Sequence, residues 1–422
     1  MLPPEREADR PKHELAQGLA GRLVELALRS VDPAALVSGL AEQLRAQGVG
    51  LGRLWVGADI LHPTVGARTV SWAVGRGVEA TGFSRAERRD LDSPLWRATP
   101  LRVVLGERLP EFRRLLIGPT YRPGEFAMLD ELRSRGLTDY LACSVPYPPG
   151  SVVGDTAGMV ATFASDGPGG FSETELALLR ASVPPLALAW RSILLLDALR
   201  SVAGAYLGAG PADQVLAGRI ARGEVETIRA AIWFSDLEGF TALADTLPRD
   251  RLVALLNAYA GVVLDTIAGH GGEVLKLMGD GVLAIFPIEG RETDACARAL
   301  DAARATLDAV ERLSAERRAA GEPVTRLFVG LHLGDVLYGN IGSRERLDFT
   351  VLGPAVNEAS RLERLCRVLG RAALVSESFA AAAMGLRDRL VPLGRHTLRG
   401  VARQQELYGL AQGSAAGSQA LG

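Results

Sequence analysis

The chain has 422 residues, too many for one ordinary core and enough for two domains with connectors. Its 48% hydrophobic content is that of a globular protein, and its 47 basic residues nearly cancel 49 acidic ones. A net charge of −2 excludes a global field that recruits nucleic acid or anionic lipid, and neither partner is expected.

Cys143, Cys296 and Cys366 lie far apart without a CxxC pair, which argues against a disulfide scaffold and for a reducing, cytoplasmic setting. The N-terminus is polar and Pro-rich, with no apolar core of a signal peptide. The most apolar stretch, Leu186 to Leu207, is broken by Arg191, Asp197 and Arg200. A bilayer span needs about 20 mostly apolar residues, so the expectation is a soluble protein without a membrane segment.

In chain order, residues 1–15 read as a disordered arm. Two helical patterns follow, ELAQGLAGRLVELALRS and PAALVSGLAEQLRAQG, the second ended by Gly48. Strand-like runs come next: GRLWVGA, RTVSWAVG, then YLACSVPY and AGMVATFAS around a PPGSVVGD turn. FSETELALLRASV reads as a helix with Ser172 as N-cap and Glu175 as capping-box partner. Helix, strands, hairpin and closing helix resemble a GAF domain, which implies a sensor over 16–185 for an unknown small-molecule or protein input. An unrelated α+β dimerisation module fits the same pattern.

Pro184 and Pro185 are expected to end that helix and open another, because proline suits a first helical turn. Over 186–225 the new segment reads as a helical linker. Leu188, Leu195 and Val202 share one heptad position, and Ser192, Leu199 and Tyr206 the next. The seam fits a short coiled coil or a helix packed on its own domain.

The second region, 226–410, carries the chemistry, before a low-complexity tail over 411–422. An apolar run, Ala230 to Phe234, ends in Ser235-Asp236-Leu237-Glu238-Gly239-Phe240-Thr241. Two further strand-like runs flank Gly279-Asp280-Gly281, a tight hairpin with Asp280 at its tip. Asp236 and Asp280 are thus two carboxylates at the ends of apolar strands, the oxygen ligands that hard Mg²⁺ or Mn²⁺ prefer.

The motifs FSDLEGFT (234–241), GGEVLKLMGDGVLAIF (271–286), GLHLGDVLYGNIGS (330–343) and RLDFTVLGPAVNEASRLE (346–363) resemble, in order, the catalytic domain of class III adenylate and guanylate cyclases. The resemblance implies an α+β fold with a ferredoxin-like βαββαβ core and an adenylate cyclase activity that turns ATP into cyclic AMP and pyrophosphate. It implies two Mg²⁺ or Mn²⁺ ions per site held by Asp236 and Asp280, and a triphosphate cradle from Leu237 through Gly239, Phe240 and Thr241. It places Lys276 and Thr350 at the purine, Asn357 at the ribose, Arg361 at the transition-state phosphate and Arg399 at a further phosphate contact. A lysine donor suits adenine N1, whereas guanine N1 carries a proton and wants an acceptor. Lys276 with Thr350 therefore resembles an adenylate-specific subclass.

Arg399 stands where the family has lysine, and Pro354 where Asp or Asn is common, which removes one backbone N–H. In the family each site lies between two chains. One supplies Asp236 and Asp280 and the other Lys276, Thr350, Asn357 and Arg361, so a homodimer is expected. A guanylate or mixed-specificity cyclase, and a catalytically silent cyclase-fold module, are the competing readings.

Overall fold

The computed structural model describes residues 10–29, 32–84, 87, 93–148, 158–399 and 403–411. The first nine residues of the expected arm, most of the PPGSVVGD turn and the tail after 411 lie outside the described residues. From Arg10 onward the chain is already helical, so the expected arm gives way to helix within its own span. The chain divides into two compact units, Met1–Val202 and Ala203–Gly422.

The first unit contains one six-stranded antiparallel sheet. Its strands are β1 (Leu51–Asp59), β2 (Val65–Ala73), β3 (Gly77–Ser84), β4 (Glu111–Leu115), β5 (Asp139–Pro146) and β6 (Gly158–Ser165), in the order β3-β2-β1-β6-β5-β4. Side chains alternate across each strand. Leu54 and Val56 therefore pack with the helices Arg10–Arg29, Pro33–Ala46 and Glu173–Leu207, while Trp55 and Tyr140 face a second cluster with Leu101, Leu129 and Leu132. Strands β3 and β4 have no counterpart in the sequence reading. β3 is exposed almost throughout and so lacks the apolar alternation that marks a half-buried strand.

The closing helix begins at Glu173 behind a complete capping box. Glu175 N donates to Ser172 Oγ at 3.3 Å, and Ser172 N donates to Glu175 Oε2 at 2.8 Å. Its other carboxylate oxygen accepts from Gly50 N at 2.7 Å, tying the cap to β1. Contrary to expectation, Pro184 and Pro185 do not end this helix, which runs unbroken to Leu207. Proline removes a backbone donor and strains the preceding turn, but Leu179, Val183, Leu186, Ala187 and Trp190 are buried in one core on both sides of the pair. Packing of that shared face outweighs the lost bonds.

The second unit is built on a mixed sheet. Its strands are β7 (Val225–Leu237), β8 (Glu273–Met278), β9 (Gly281–Pro287), β10 (Leu327–Gly342), β11 (Leu347–Leu352), β12 (Ala373–Val375), β13 (Leu390–His396) and β14 (Gln405–Leu410). Helices Arg249–Gly269 and Glu292–Ala319 join β7 to β8 and β9 to β10, giving the βαββαβ path with strand order β10-β7-β9-β8. β12 runs parallel to β10, and β11 folds back on the far end of β10. The two joining helices cover one face around Trp233, Tyr259 and Phe286, and helix Pro354–Leu369 covers the other around Ile232, Ile285 and Ala359. Arg249–Gly269 is long and apolar enough to cross a membrane by length and composition, yet its Leu255, Tyr259, Val263 and Ile267 pack into the sheet's core.

Replacing the Ser172 cap should destabilise the first unit. Ser172→Ala is expected to cost about 1 kcal/mol in chemical denaturation, and Ser172→Asp to restore most of it; an unchanged midpoint in Ser172→Ala contradicts this role for the cap.

Candidate active site

The site begins with the end of β7. Trp233 and Ser235 are fully buried, and the indole Nε1 donates to Ser235 Oγ at 2.9 Å. Alternation then puts Asp236 on the opposite face with Ile232 and Phe234, the face covered by helix Pro354–Leu369. The exit is anchored as well. Glu238 N donates to Arg326 O at 2.8 Å, and Thr325 Oγ1 donates to Glu238 O at 2.7 Å.

Asp280 comes from the β8–β9 hairpin. Met278 pairs with Gly281, leaving a two-residue loop of Gly279 and Asp280, and Gly279 has φ 69°. Glycine at the first loop position with positive φ is the type II′ requirement. Val282 lies opposite Ser235, which brings the hairpin tip to the end of β7. A Cβ on Gly281 would come within 3.3 Å of Ser235 O and 3.4 Å of Asp236 Oδ1, so a larger residue there would crowd Asp236. Leu237 N donates to Asp280 Oδ2 at 3.3 Å.

The two carboxylates therefore confront one another. Burial, then a hydrogen bond with Asp280 and its negative charge, push Asp236 up to about 7. Glu363, 6% exposed on helix Pro354–Leu369, is also pushed up to about 7, chiefly by burial and next by the charge of Asp236. Arg364 is the arginine whose charge eases Asp236.

This donor set fits a hard divalent cation, which would neutralise both carboxylates. Among the described residues no group of three or more His, Cys, Asp or Glu is placed to hold a metal. Asp236 and Asp280 would then be the protein's share of such a site. Mg²⁺ commonly takes one or two from the protein and completes its shell with water and substrate phosphate oxygens.

A second cluster lies on β8 and β11. Lys276 Nζ forms an ion pair with Asp348, and Thr350, two residues along the same face of β11, is buried opposite Gly339. Helix Pro354–Leu369 opens with Pro354 at its first turn after Gly353, so the proline's missing N–H falls where a helix start leaves donors unused. It presses closely on β10, since a Cβ on Gly330 would sit 2.3 Å from Ala359 O. Ala355, Ala359, Leu362 and Cys366 bury its inner face, leaving Asn357 exposed and Arg361 half-buried one turn apart.

Among the described residues, no hydrogen bond or ion pair joins Lys276, Thr350, Asn357 or Arg361 to the aspartate pair. The loop after Asp236 differs in detail from the expected phosphate cradle. Leu237 is buried and its N–H is engaged by Asp280, while Phe240 packs on the core around Trp233. Gly239, at φ 68°, heads the short helix Phe240–Thr246, and Thr241 is exposed in its first turn, where backbone donors lack intrahelical partners. Arg399 is exposed, and Gly400 and Val401 lie outside the described residues. His332 is buried on β10, its Nδ1 3.9 Å from Glu358 Oε2, and burial lowers its pKa. It faces the core, in keeping with a structural strand histidine.

Sequence reading missed Glu363 and Asp348. A usable signal existed for Glu363, which follows Leu362 on the helix's apolar side and is a charge where an apolar residue belongs. Asp348 offered none, because its partner Lys276 is 72 positions away.

Residues 224–411 match the family described as Adenylate and Guanylate cyclase catalytic domain. The chain is 29% identical over 175 residues to Adenylate cyclase 1 of Rhizobium meliloti, covering 42% of this chain and 26% of that protein. It is 37% identical over 176 residues to an uncharacterized protein of Mycobacterium tuberculosis, covering 42% of this chain and 31% of that protein. The chain thus spans about a quarter to a third of these relatives. The crystal structure of the adenylyl cyclase CyaB from P. aeruginosa aligns with a TM-score of 0.40 and 26% identity, over 47% of this chain and 99% of that one.

The carboxylate confrontation has a thermodynamic signature. A carboxyl raised from 3.8 to about 7 by folding contributes stability that is complete below its unfolded value and lost as pH rises through the folded one. In chelator, Asp236→Asn is expected to melt above the wild type, with an advantage that grows between about pH 4 and 7 and then levels off. A wild-type margin that widens with pH contradicts it.

Proposed function

We propose that this chain, whose residues 224–411 belong to the adenylate and guanylate cyclase catalytic domain family, is an adenylate cyclase that works as a homodimer. The observation that carries the reading is the confronted pair Asp236 and Asp280, a donor set suited to divalent cations at the end of a rigid strand. Asp236 and Asp280 would hold two Mg²⁺ or Mn²⁺ ions. When bound, such ions supply Lewis-acid polarisation of the reacting oxygens and neutralise phosphate charge.

The chain's own residues do the rest. First-turn amides from Gly239 through Thr241 receive phosphate oxygens. Lys276 donates to adenine N1, and Thr350 Oγ1 accepts from the adenine amino group. Asn357 orients the ribose so that its 3′-oxygen faces the α-phosphorus, and the Arg361 fork meets the charge that builds on the phosphate. The 3′-oxygen gives its proton to solvent water and bonds to the α-phosphorus as the bond to pyrophosphate breaks. Arg399, next to residues outside those described, adds a further phosphate contact.

Two observations support a shared site. Among the described residues no hydrogen bond or ion pair joins the aspartates to the nucleotide-reading residues, in keeping with each set completing a site with the other copy. Leu188, Leu199, Val202 and Tyr206, all from the expected heptad seam, are exposed on one face of the helix Glu173–Leu207, an apolar stripe that suits a second copy. The first unit's order of helices, strands and closing helix supports a GAF-like sensor that regulates the enzyme. Three buried free thiols, pushed up to about 12 by burial, suit a reducing cytoplasm.

One observation favours the guanylate reading. The Asp348 carboxylate beside Lys276 is an acceptor of the kind that guanine N1–H requires. Parallel assays with Mn²⁺ and ATP or GTP decide between them. Cyclic AMP and pyrophosphate from ATP are expected to predominate, whereas product from GTP alone reverses the assignment. Asp236→Ala should abolish turnover. Mixed in equal amounts with Asn357→Ala chains it should recover about a quarter of wild-type turnover, the statistical share for random pairing in a two-fold dimer. A mixture no more active than either variant argues against shared sites.

A further inference from the structure

The first unit contains a charged cavity that the catalytic reading does not use. It measures about 290 Å³ and lies between β1, β2 and β3 and the helix Ala127–Ser134, lined among others by Arg53, Ser71, Arg76, Glu79, Glu131 and Arg135. Strand register explains the convergence. Arg53 pairs with Ala73 across β1–β2, and Ser71 pairs with Glu79 across β2–β3, so these side chains share one sheet face. The helix lays Met128, Glu131 and Leu132 over that face.

The charges in this cavity do not balance. Arg135 is already bonded to Glu131 one turn earlier in the chain. Arg53 makes no hydrogen bond or ion pair among the described residues, although it donates five N–H groups. Burial lowers its pKa, and its electrostatic surroundings are the Tyr140 hydroxyl, Arg135 and the already committed Glu131. Arg76 and Glu79 are exposed at the rim and are not paired with each other. A desolvated guanidinium without a counter-charge is costly to keep in a fold. Arg53 lies half-buried on β1 with Arg135 and Glu131 nearby, and no carboxylate is committed to it among the described residues.

We infer that the first unit binds a small oxyanion in this cavity, a carboxylate or phosphate gripped by the guanidinium fork of Arg53. The fork matches two oxygens of such a group at once. The volume is at the lower end of ligand pockets, roughly 300–1,000 Å³, which suits a compact metabolite and excludes a nucleoside triphosphate. Glu79 at the rim disfavours a highly charged polyanion and leaves room for one or two negative charges. This inference stands on the first unit alone and does not depend on the nucleotide or the reaction of the second.

Thermal unfolding of the full chain in chelator, at constant ionic strength balanced with sodium chloride, tests it with acetate, malonate and inorganic phosphate as probes. At least one probe should raise Tm saturably in the wild type, and the ranking separates a carboxylate site from a phosphate site. Arg53→Lys, which keeps the charge and loses the fork, should weaken the apparent Kd at least tenfold. Arg53→Met should abolish the shift while its ligand-free Tm is no lower than that of the wild type, since it removes an unpaired, half-buried cation. The inference is overturned if no probe shifts the wild type, or if Arg53→Lys and Arg53→Met respond as the wild type does. An anion bound at the aspartate site instead would show the same shift in all three proteins.

Discussion

The second unit turns on one repulsive contact, two carboxylates held against each other where β7 meets the β8–β9 hairpin. Like charges at that range do not persist unless the backbone imposes them. Here it does so three times over. The buried Trp233–Ser235 bond pins the strand, the glycine-led hairpin aims Asp280, and the Glu238–Arg326 and Thr325–Glu238 bonds hold the exit. The fold thereby stores an unfavourable charge arrangement that a divalent cation would relieve. Such stored cost is common at functional sites.

Glu363 extends that logic. Its carboxyl lies buried on the helix that also displays Asn357 and Arg361, and it feels the charge of Asp236. Neutralising the aspartate pair would therefore ease a strain on the helix that carries Asn357 and Arg361. Coupling of this kind needs no moving part within the unit. It needs only that the helix and the strand share a desolvated electrostatic environment, which the tight approach of Ala359 to Gly330 provides.

Much of this was legible in the amino-acid sequence because the decisive signals are local. Asp236 after an apolar run, Gly-Asp-Gly between two strand patterns, and Asn357 one turn from Arg361 each declare their geometry within a few residues. The capping box at Ser172 did so as well. What escaped was settled by tertiary contacts. Pro184 and Pro185 read as a helix end, yet a continuous buried face carries the helix past them. The exposed β3 and the short β4 carry no periodicity to find. The Lys276–Asp348 pair joins strands far apart in the chain, as does the convergence of Arg53 with Arg135, and neither leaves a pattern at any fixed spacing.

The proposed function requires that a cation displace the proton which the raised Asp236 carboxyl keeps below about pH 7. Calorimetric titration of the metal-free protein with Mn²⁺, repeated in buffers of differing ionisation enthalpy, counts that proton directly. The account predicts release of about one proton per chain near pH 6, almost none above pH 8, and none at either pH in Asp236→Asn. Binding of Mn²⁺ with the same proton count at pH 6 and pH 8 would contradict it.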